Sequence, residues 1–326
     1  MTDKSAPITT KPLTPGDLDA VIAIDAKTSG SSRRDYFEKR LKAATDHPED
    51  YVFVGVFRGG DLAGFAFAKI ETGAFGGSGA SAALDSIGVD PDQGLQGLGQ
   101  KLLAEVETVL RRKGVTTLTS QIDWSQIKML GFMAHMGFAM APHIVLTRPT
   151  DEIEQDLEEI EEDDEVDFSS PDGDAANALS HDRIPVRSMK ETDLAKIISM
   201  DAAHTGNDRS DYYTRKLREN LHQSGVQASL VAEQDGYPVG FIMARVDFGE
   251  FGRTSAEAVM DALGVDPGYT GQGIGKALMA KLMANLGALE VETVRTQADW
   301  DDTGLIGYFS TTGFSPAQRI VLGKTL

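Results

Sequence analysis

Residues 264–275 read GVDPGYTGQGIG, and residues 88–99 read GVDPDQGLQGLG. At both places an apolar stretch precedes the glycines, and a run with helical periodicity follows them. We therefore predict a β-strand, a glycine-rich turn and the first turn of a helix in each case. Unpaired backbone N–H groups and the positive end of a helix dipole meet at such a turn, which suits it to bind an anion such as a pyrophosphate.

The two stretches lie 176 residues apart, and the same offset relates two long segments of the chain. It aligns residues 8–150 with residues 184–326 without a gap, and about 43 of about 143 paired positions are identical. Because the repeated unit has the length of a domain, the pattern indicates duplication of a whole domain. We predict an N-terminal domain at 1–150, a linker at 151–183 and a C-terminal domain at 184–326.

The linker holds much of the chain's negative charge. The net charge is −19, and residues 151–182 contain 15 Asp or Glu and no Lys or Arg. We interpret 151–183 as a flexible, solvated linker. A short amphipathic helix around Leu157 and Ile160, or a segment that binds a basic partner, are the alternatives. The rest of the chain is close to electrically balanced, so we do not expect a nucleic-acid partner.

The composition also restricts the chemistry. The chain has no Cys, which excludes disulfides, thiolate metal sites and a cysteine nucleophile. Its six His show no metal-ligand spacing, so we expect no metal. No apolar run approaches the roughly 18 residues of a membrane span, and Met1–Pro7 is too short and polar for a signal peptide. We expect a cytoplasmic protein without a membrane partner.

Periodicity predicts the same order of elements in each repeat. A strand, two helices and a run of strands precede the glycine-rich turn, and a long helix, a strand, a helix and a last strand follow it. Strands and helices alternate in the second half of the unit, which predicts an α/β fold with a mixed sheet.

Two nucleotide-binding motifs do not fit the glycine-rich turn. A P-loop requires Ser or Thr after its Lys, whereas Lys276 is followed by Ala277. A dinucleotide-binding fingerprint opens the first strand–helix unit of its domain, whereas this turn comes late in each repeat. A plain left-handed loop that binds nothing is a further alternative.

The turn and its flanking elements resemble the GNAT N-acetyltransferase superfamily, whose acyl-CoA motif reads [QR]-x-x-G-x-[GA]. Gly97 and Gly99, and likewise Gly273 and Gly275, occupy the glycine positions, and each repeat has a late Gly-Phe pair after its last helix. The first position of the motif departs from the family, since it is residue 94 (Gly) in one copy and residue 270 (Thr) in the other. The resemblance implies two tandem GNAT-like domains, each with a central mixed β-sheet flanked by helices.

The resemblance also implies a function and a cofactor. It implies an N-acetyltransferase that transfers acetyl directly from acetyl-CoA to a primary amine of a small molecule or protein. The second repeat matches the motif better, so we expect its cofactor site to be the more competent one. The positions that match the acyl-CoA site are Val265, Asp266, Gly271, Gln272, Gly273, Ile274, Gly275 and Lys276 in the second repeat, and Val89, Gln96, Gly97, Leu98, Gly99 and Gln100 in the first.

Acyl transfer to an amine requires a base for the ammonium group. Asp85 and Asp261 precede the end of the predicted cofactor strand by four residues in each repeat. Burial on a largely apolar strand would raise the pKa of these carboxyl groups toward the range of a base. The alternative is a buried Asp that holds a neighbouring loop by hydrogen bonds. Glu257, on the same strand of the second repeat, is a second candidate base.

Acyl transfer from a thioester also requires an acid for the leaving thiolate. Family members use a Tyr at a position that is Met133 or Phe309 here. The neighbouring Tyr308 is our candidate, and its counterpart in the first repeat is Phe132. Water is the alternative.

Four aromatic residues are candidates for contact with the acceptor. Trp124 and Trp300 follow the penultimate strand of each repeat. They either form the floor of the acceptor pocket or cover the end of the apolar core. Tyr36 and Tyr212 lie where the family places acceptor-lining helices, although both helix starts also resemble ordinary N-terminal caps. A non-catalytic acyl-CoA-binding or structural pair of domains, with one or both sites degenerate, is the alternative function. Association into a homo-oligomer is compatible with the sequence.

Overall fold

A computed structural model describes residues 6–71, 73, 79–93, 97–150, 184–220, 226, 228–253 and 256–326. The predicted linker, and the candidate cofactor residue Gln96, lie outside the described residues. The strands are β1 (Ile8–Pro12), β2 (Tyr51–Arg58), β3 (Asp61–Ile70), β4 (Ser81–Val89), β5 (Thr117–Asp123), β6 (Ala139–Met140), β7 (His143–Pro149), β8 (Val186–Ser188), β9 (Leu230–Gln234), β10 (Tyr237–Phe248), β11 (Ala256–Val265), β12 (Thr293–Asp299), β13 (Ser315–Pro316) and β14 (Arg319–Thr325). The α-helices are α1 (Leu18–Ser29), α2 (Arg34–Asp46), α3 (Leu98–Arg112), α4 (Ile127–His135), α5 (Leu194–Thr205), α6 (Ser210–Arg218), α7 (Ile274–Gly287) and α8 (Thr303–Thr311).

The strands of the described residues form two mixed sheets of seven strands each. The first has the order β1-β2-β3-β4-β5-β14-β6, and the second has the order β13-β7-β12-β11-β10-β9-β8. In each sheet one neighbouring pair is parallel, β4 with β5 and β11 with β12, and the other pairs are antiparallel. Helices flank both sheets, so the predicted mixed α/β architecture is confirmed.

Each sheet has an apolar core on both faces. In the first copy α3 packs Leu102, Leu103 and Val106 against one face, while α1 and α2 cover the other. In the second copy α7 and α5–α6 repeat this arrangement. The long helix that follows each glycine-rich turn is therefore held against its sheet by buried aliphatic side chains, which fixes the position of the turn.

The last strand of each repeat completes the sheet of the other repeat. Strand β14 pairs with β5 from Arg319↔Asp123 to Thr325↔Thr117. Strand β7 pairs with β12 from Pro149↔Thr293 to His143↔Asp299. The sequence predicts both strands but not their exchange, because residues 144–146 and 320–322 have the identical sequence IVL and suit either sheet equally.

The parallel strand pair at the centre of each sheet separates after a few residues. Within the described residues, β4 and β5 pair from Ser81↔Thr117 to Ala83↔Thr119, and the Ser120 hydroxyl then donates to the Leu84 carbonyl at 2.8 Å. Strands β11 and β12 pair at two positions, and their separation opens a cleft that ends at the glycine-rich turn.

The two copies also meet through reciprocal loop contacts. The guanidinium of Arg33 donates to the Gly249 carbonyl, and Nε of Arg209 donates to the Gly73 carbonyl at 2.9 Å. Under the 176-residue offset Arg33 is equivalent to Arg209 and Gly73 to Gly249, so the second contact repeats the first with the copies exchanged. The chain therefore contains the reciprocal type of contact that is typical of a two-fold symmetric dimer.

Glycine is required in these two loops. Gly73 and Gly249 have φ of +86° and +90°. An added Cβ would lie 2.9 Å from Tyr212 at the first position and 2.8 Å from Tyr36 at the second. Tyr36 and Tyr212 therefore lie buried where the two copies pack together.

We predict that the two halves stay associated after the chain is cut within 151–183. Since each sheet contains a strand from the other half, separation would break seven register pairs on each side. A variant with a protease site in this segment is cleaved and analysed by native size-exclusion chromatography. Co-elution of both fragments is expected, and elution of two separate folded fragments would contradict the strand exchange.

We predict that Gly249→Ala destabilises the protein more than Gly252→Ala does. Both glycines have a left-handed φ, so both changes cost about 1 kcal/mol of backbone strain. Gly252 has no atom within 4 Å of an added Cβ, whereas Tyr36 obstructs residue 249, which adds about 1–3 kcal/mol. Urea unfolding of the two variants gives the comparison, and equal free energies of unfolding would contradict the tight contact.

Candidate active site

The glycine-rich turns have the backbone geometry expected of an anion site. Gly97 and Gly273 precede the first residues of α3 and α7 and have φ of +70° and +80°. Gly271 has φ of +77°, and nothing lies within 4 Å of an added Cβ at either Gly271 or Gly273. The outer surface of the second-copy turn is therefore open at the N-terminus of a 14-residue helix.

The last glycine of each motif lies under an aromatic ring of the following helix. An added Cβ at Gly275 would lie 3.2 Å from the Tyr308 hydroxyl, and one at Gly99 would lie 3.3 Å from the Phe132 ring. The Tyr308 hydroxyl donates to the Gly275 carbonyl at 2.8 Å. Burial raises the pKa of Tyr308 to about 12. Its proton is thus present at neutral pH, and it is engaged with the helix backbone.

A cavity of about 510 Å³ opens from the cleft between β11 and β12. It is lined in the second copy by Val265, Gly275, Tyr308 and Asp299, among others. The first copy also contributes lining residues: Glu71, Ala83, Asp85, Thr119, Ser120 and Gln121. The cleft of the second copy is therefore continuous with space at the contact between the two copies.

Val265, one of the predicted cofactor-binding residues, has a side-chain neighbour that sequence reasoning missed. Nε2 of His204, on α5, lies 2.5 Å from the Val265 carbonyl oxygen. A carbonyl oxygen has two lone pairs, so this contact leaves one for a ligand. The equivalent residue of the first copy is Thr28, so the repeat gave no signal for a histidine here.

Asp261 is paired with two cations. Its carboxylate lies 2.8 Å from Nζ of Lys216 and 3.2 Å from Nε of Arg245. Burial alone would raise the pKa of Asp261, but the two cations outweigh burial and lower that pKa below its ordinary value. The expected rise is therefore wrong for Asp261.

Asp85, at the equivalent position of the first copy, has the opposite electrostatics. Its Oδ2 atom is buried and has no hydrogen-bond partner among the described residues. Burial raises the pKa of Asp85 to about 7, and the negative charge of Glu250 adds to the rise. The expected rise therefore occurs here.

The difference arises from a buried ion-pair network between the copies. Glu250, on the loop between β10 and β11, pairs with Arg40 of the first copy, with Arg245 at 2.9 Å and with Arg295 at 2.8 Å. The attraction of these three guanidinium groups lowers the pKa of Glu250 despite its burial. Sequence reasoning missed this network. The signal lay in differences between the repeats, since positions 250 and 295 correspond to Ala and Thr at 74 and 119.

The other candidate base, Glu257, is also engaged. Its two carboxylate oxygens contact Arg253 and, at 2.9 Å, Nε of Arg295. The side chain is buried, and both oxygens therefore have a guanidinium partner. A base role for Glu257 would require one of these pairs to open.

The aromatic candidates differ in their surroundings, since Tyr36 is buried outside this cavity while the other three line it or lie at the surface. Tyr212 lines the cavity, donates to the Asp261 carbonyl at 3.1 Å, and has its pKa raised to about 12 by burial. Trp124 and Trp300 are 55% and 53% exposed, and neither lines this cavity. An acceptor role for the two tryptophans stays a prediction.

The family is shown by comparison with known proteins. A family model described as "Acetyltransferase (GNAT) family" matches residues 18–138 and 193–314, which is more than half of the chain.

The chain belongs to the GNAT acetyltransferase family.

Solved structures share the fold of this GNAT chain over almost its whole length. A tandem GNAT protein from the clavulanic acid biosynthesis pathway has a TM-score of 0.59 and 17% identity, with 98% of each chain covered. A GCN5-related N-acetyltransferase from Sphaerobacter thermophilus has a TM-score of 0.55 and 16% identity, with 98% of this chain and 97% of that chain covered.

A third similar structure is larger than this chain. The GCN5-related glucosamine N-acetyltransferase region of a fungal multi-domain GH3 beta-N-acetylglucosaminidase has a TM-score of 0.64 and 16% identity. The match covers 98% of this chain and 38% of the fungal protein. At these identities the likeness shows the fold alone.

The described residues contain neither a membrane-spanning helix nor a cluster of metal ligands. None of the helices that the structure describes is long and apolar enough to cross a membrane. No group of three or more His, Asp or Glu side chains in the described part of the chain could hold a metal ion.

We predict that Asp85→Asn stabilises the protein at about pH 8. Since the pKa of Asp85 is higher in the folded chain than in the unfolded chain, the wild type loses stability as pH rises from about 4 to about 7. The Asn variant does not ionise, so its advantage in Tm should widen over this range to on the order of 5 °C. Calorimetric Tm values across this pH range give the measurement.

Asp261→Asn is the matched control, and its effect should have the opposite sign. It leaves Lys216 and Arg245 without their carboxylate, so it should lower Tm at about pH 8. Equal effects of the two substitutions would contradict the electrostatic difference between the copies.

Proposed function

We propose that the protein is an acyl-CoA-dependent N-acetyltransferase that transfers acetyl directly to a primary amine. The observation that carries this proposal is the second-copy cleft, which joins an open glycine-rich helix N-terminus to a cavity of about 510 Å³. Membership of the GNAT family supports the proposal. The amine, its place on a small molecule or a protein, and the expected cytoplasmic location stay predictions.

The residues of the second copy fit an acyl-CoA group. The free backbone N–H groups of residues 271–276 suit the pyrophosphate, because the adjacent helix dipole favours negative charge there. Val265 ends β11, which pairs with β10 at this point but with β12 at Ala258 and Val259, and it would bind the pantetheine amides. Acetyl-CoA, when bound, would supply the activated thioester. No Cys is present to carry the acetyl group, which favours direct attack by the amine.

The protein's own groups then supply proton transfer. A carboxylate in the cavity would take the proton from the acceptor ammonium, so that the amine lone pair is free to attack. Tyr308 would give its hydroxyl proton to the leaving thiolate, after exchanging its hydrogen bond with the Gly275 carbonyl. Water in the cavity is the alternative acid.

One observation favours a second function, a pair of domains that binds acyl-CoA without catalysis. In the second copy both candidate bases, Asp261 and Glu257, are paired with cations. Release of free thiol from acetyl-CoA across a panel of primary amines separates the two functions. An enzyme releases thiol in the presence of an amine, whereas a binding protein gives calorimetric heat with acetyl-CoA and no thiol.

We predict that Gly273→Val weakens acetyl-CoA binding at least tenfold, and more than Gly97→Val does. Both substitutions force a branched side chain into left-handed backbone, so their structural cost is similar. At residue 273 the added side chain also occupies the open surface on which the pyrophosphate would lie. Isothermal titration calorimetry gives Kd for both variants. Equal losses would contradict the greater competence of the second copy, and no heat from the wild type at millimolar acetyl-CoA would count against the proposed function.

A further inference from the structure

Asp85 belongs to the first copy but lines the same cavity as the second-copy cofactor cleft. The cavity that contains Gly275, Val265 and Tyr308 also contains Asp85 and the neighbouring Ser120. An acceptor in this cavity would therefore contact groups from both copies.

In the part of the chain that the structure describes, no Lys or Arg forms an ion pair with Asp85, in contrast to its counterpart. Asp261 contacts Lys216 and Arg245. The equivalent cations of the first copy, Arg40 and Lys69, instead pair with carboxylates of the second copy.

Arg40 and Lys69 each form an ion pair with a carboxylate of the other copy. Arg40 pairs with Glu250, and Nζ of Lys69 lies 2.7 Å from Glu219. Glu219 has no acidic counterpart in the first copy, since residue 43 is Ala. Arg40 and Lys69 therefore form ion pairs with the second copy, whereas their equivalents Lys216 and Arg245 pair with Asp261.

The charged and titratable groups around Asp85 come from both copies. The negative charges of Glu250 and Glu71 raise the pKa of Asp85, and the positive charges of Arg40 and Lys69 lower it. The charge of Asp85 in turn raises the pKa of the buried Tyr36. Burial and Glu250 dominate, which raises the pKa of Asp85 to about 7. A general base is most effective when its pKa lies near the working pH.

We propose that Asp85 of the first copy is the general base for acetyl transfer from acetyl-CoA bound to the second copy. This proposal rests on the proposed function. An Asp85 oxygen takes one proton from the acceptor ammonium, and the freed amine lone pair forms the bond to the acetyl carbonyl carbon. The carbon–sulfur bond breaks, its electron pair leaves with sulfur, and the thiolate takes a proton from Tyr308 or water. The amide nitrogen then releases its second proton, which replaces the one that Tyr308 or water gave to sulfur.

The first test is the pH dependence of kcat/KM for an amine that gives turnover. In the wild type, activity falls below about pH 7 as Asp85 becomes protonated. Asp85→Asn should lower kcat/KM by about 10²–10⁴-fold and abolish this acidic limb. Asp85→Glu restores a carboxylate and should restore the limb. Asp261→Asn should keep the limb whatever its effect on rate.

The location of the cofactor is tested with the turn variants. The turnover that remains in Gly97→Val should keep the Asp85-dependent limb, whereas Gly273→Val should lose turnover. The reverse pattern would place the reacting cofactor in the first copy and overturn the assignment across copies.

A binding measurement gives a readout that does not depend on turnover. The same amine is titrated calorimetrically at about pH 7, without cofactor, in two buffers of different ionisation enthalpy. Binding of an ammonium ion beside Asp85 should release a fraction of a proton from the wild type and from Asp261→Asn, and none from Asp85→Asn. Equal proton release from all three proteins would overturn the proposal.

The outcomes separate this proposal from the proposed function. If the wild type releases no thiol with any amine, both fail. If the wild type is active and Asp85→Asn keeps the same pH profile and rate, the role of Asp85 fails alone.

Discussion

The antiparallel pairing of β14 with β5 and of β7 with β12 is the constraint on which the rest of the structure depends. Strands β5 and β12 each form one wall of a cleft, and each is held on its outer side by a strand of the other copy. The width of both clefts is therefore fixed by contacts between the copies. A single copy in this arrangement would lack a strand beside its cleft, so the two repeats form one structural unit.

The buried charges at the contact between the copies give this unit its asymmetry. Removing a charge from water is costly unless it is paired, and here Glu250, Glu219 and Asp261 each have cationic partners. Among the described residues Asp85 has no such pair, and its raised pKa reflects the cost of its charge. A symmetric duplication would give two equivalent carboxylates; substitutions at positions such as 219 and 250 have made them different.

The sequence predicted those features that depend on local patterns. The strand–turn–helix around residues 264–275 follows from glycine positions and periodicity, and the structure has left-handed glycines where the motif requires them. The exchange of β7 and β14 could not be predicted, because the identical segments 144–146 and 320–322 favour neither sheet. The opposite pKa shifts of Asp85 and Asp261 could not be predicted either, since Glu250 lies 165 residues from Asp85 in the chain and acts through a contact between the two copies.

The most direct measurement of the central claim is a crystal structure of the whole chain with acetyl-CoA. We expect the pyrophosphate on the backbone N–H groups of residues 271–276, the pantetheine arm between β11 and β12, and the thioester in the cavity that Asp85 and Tyr308 line. Acetyl-CoA bound elsewhere, with the β11–β12 cleft closed by protein side chains, would contradict it.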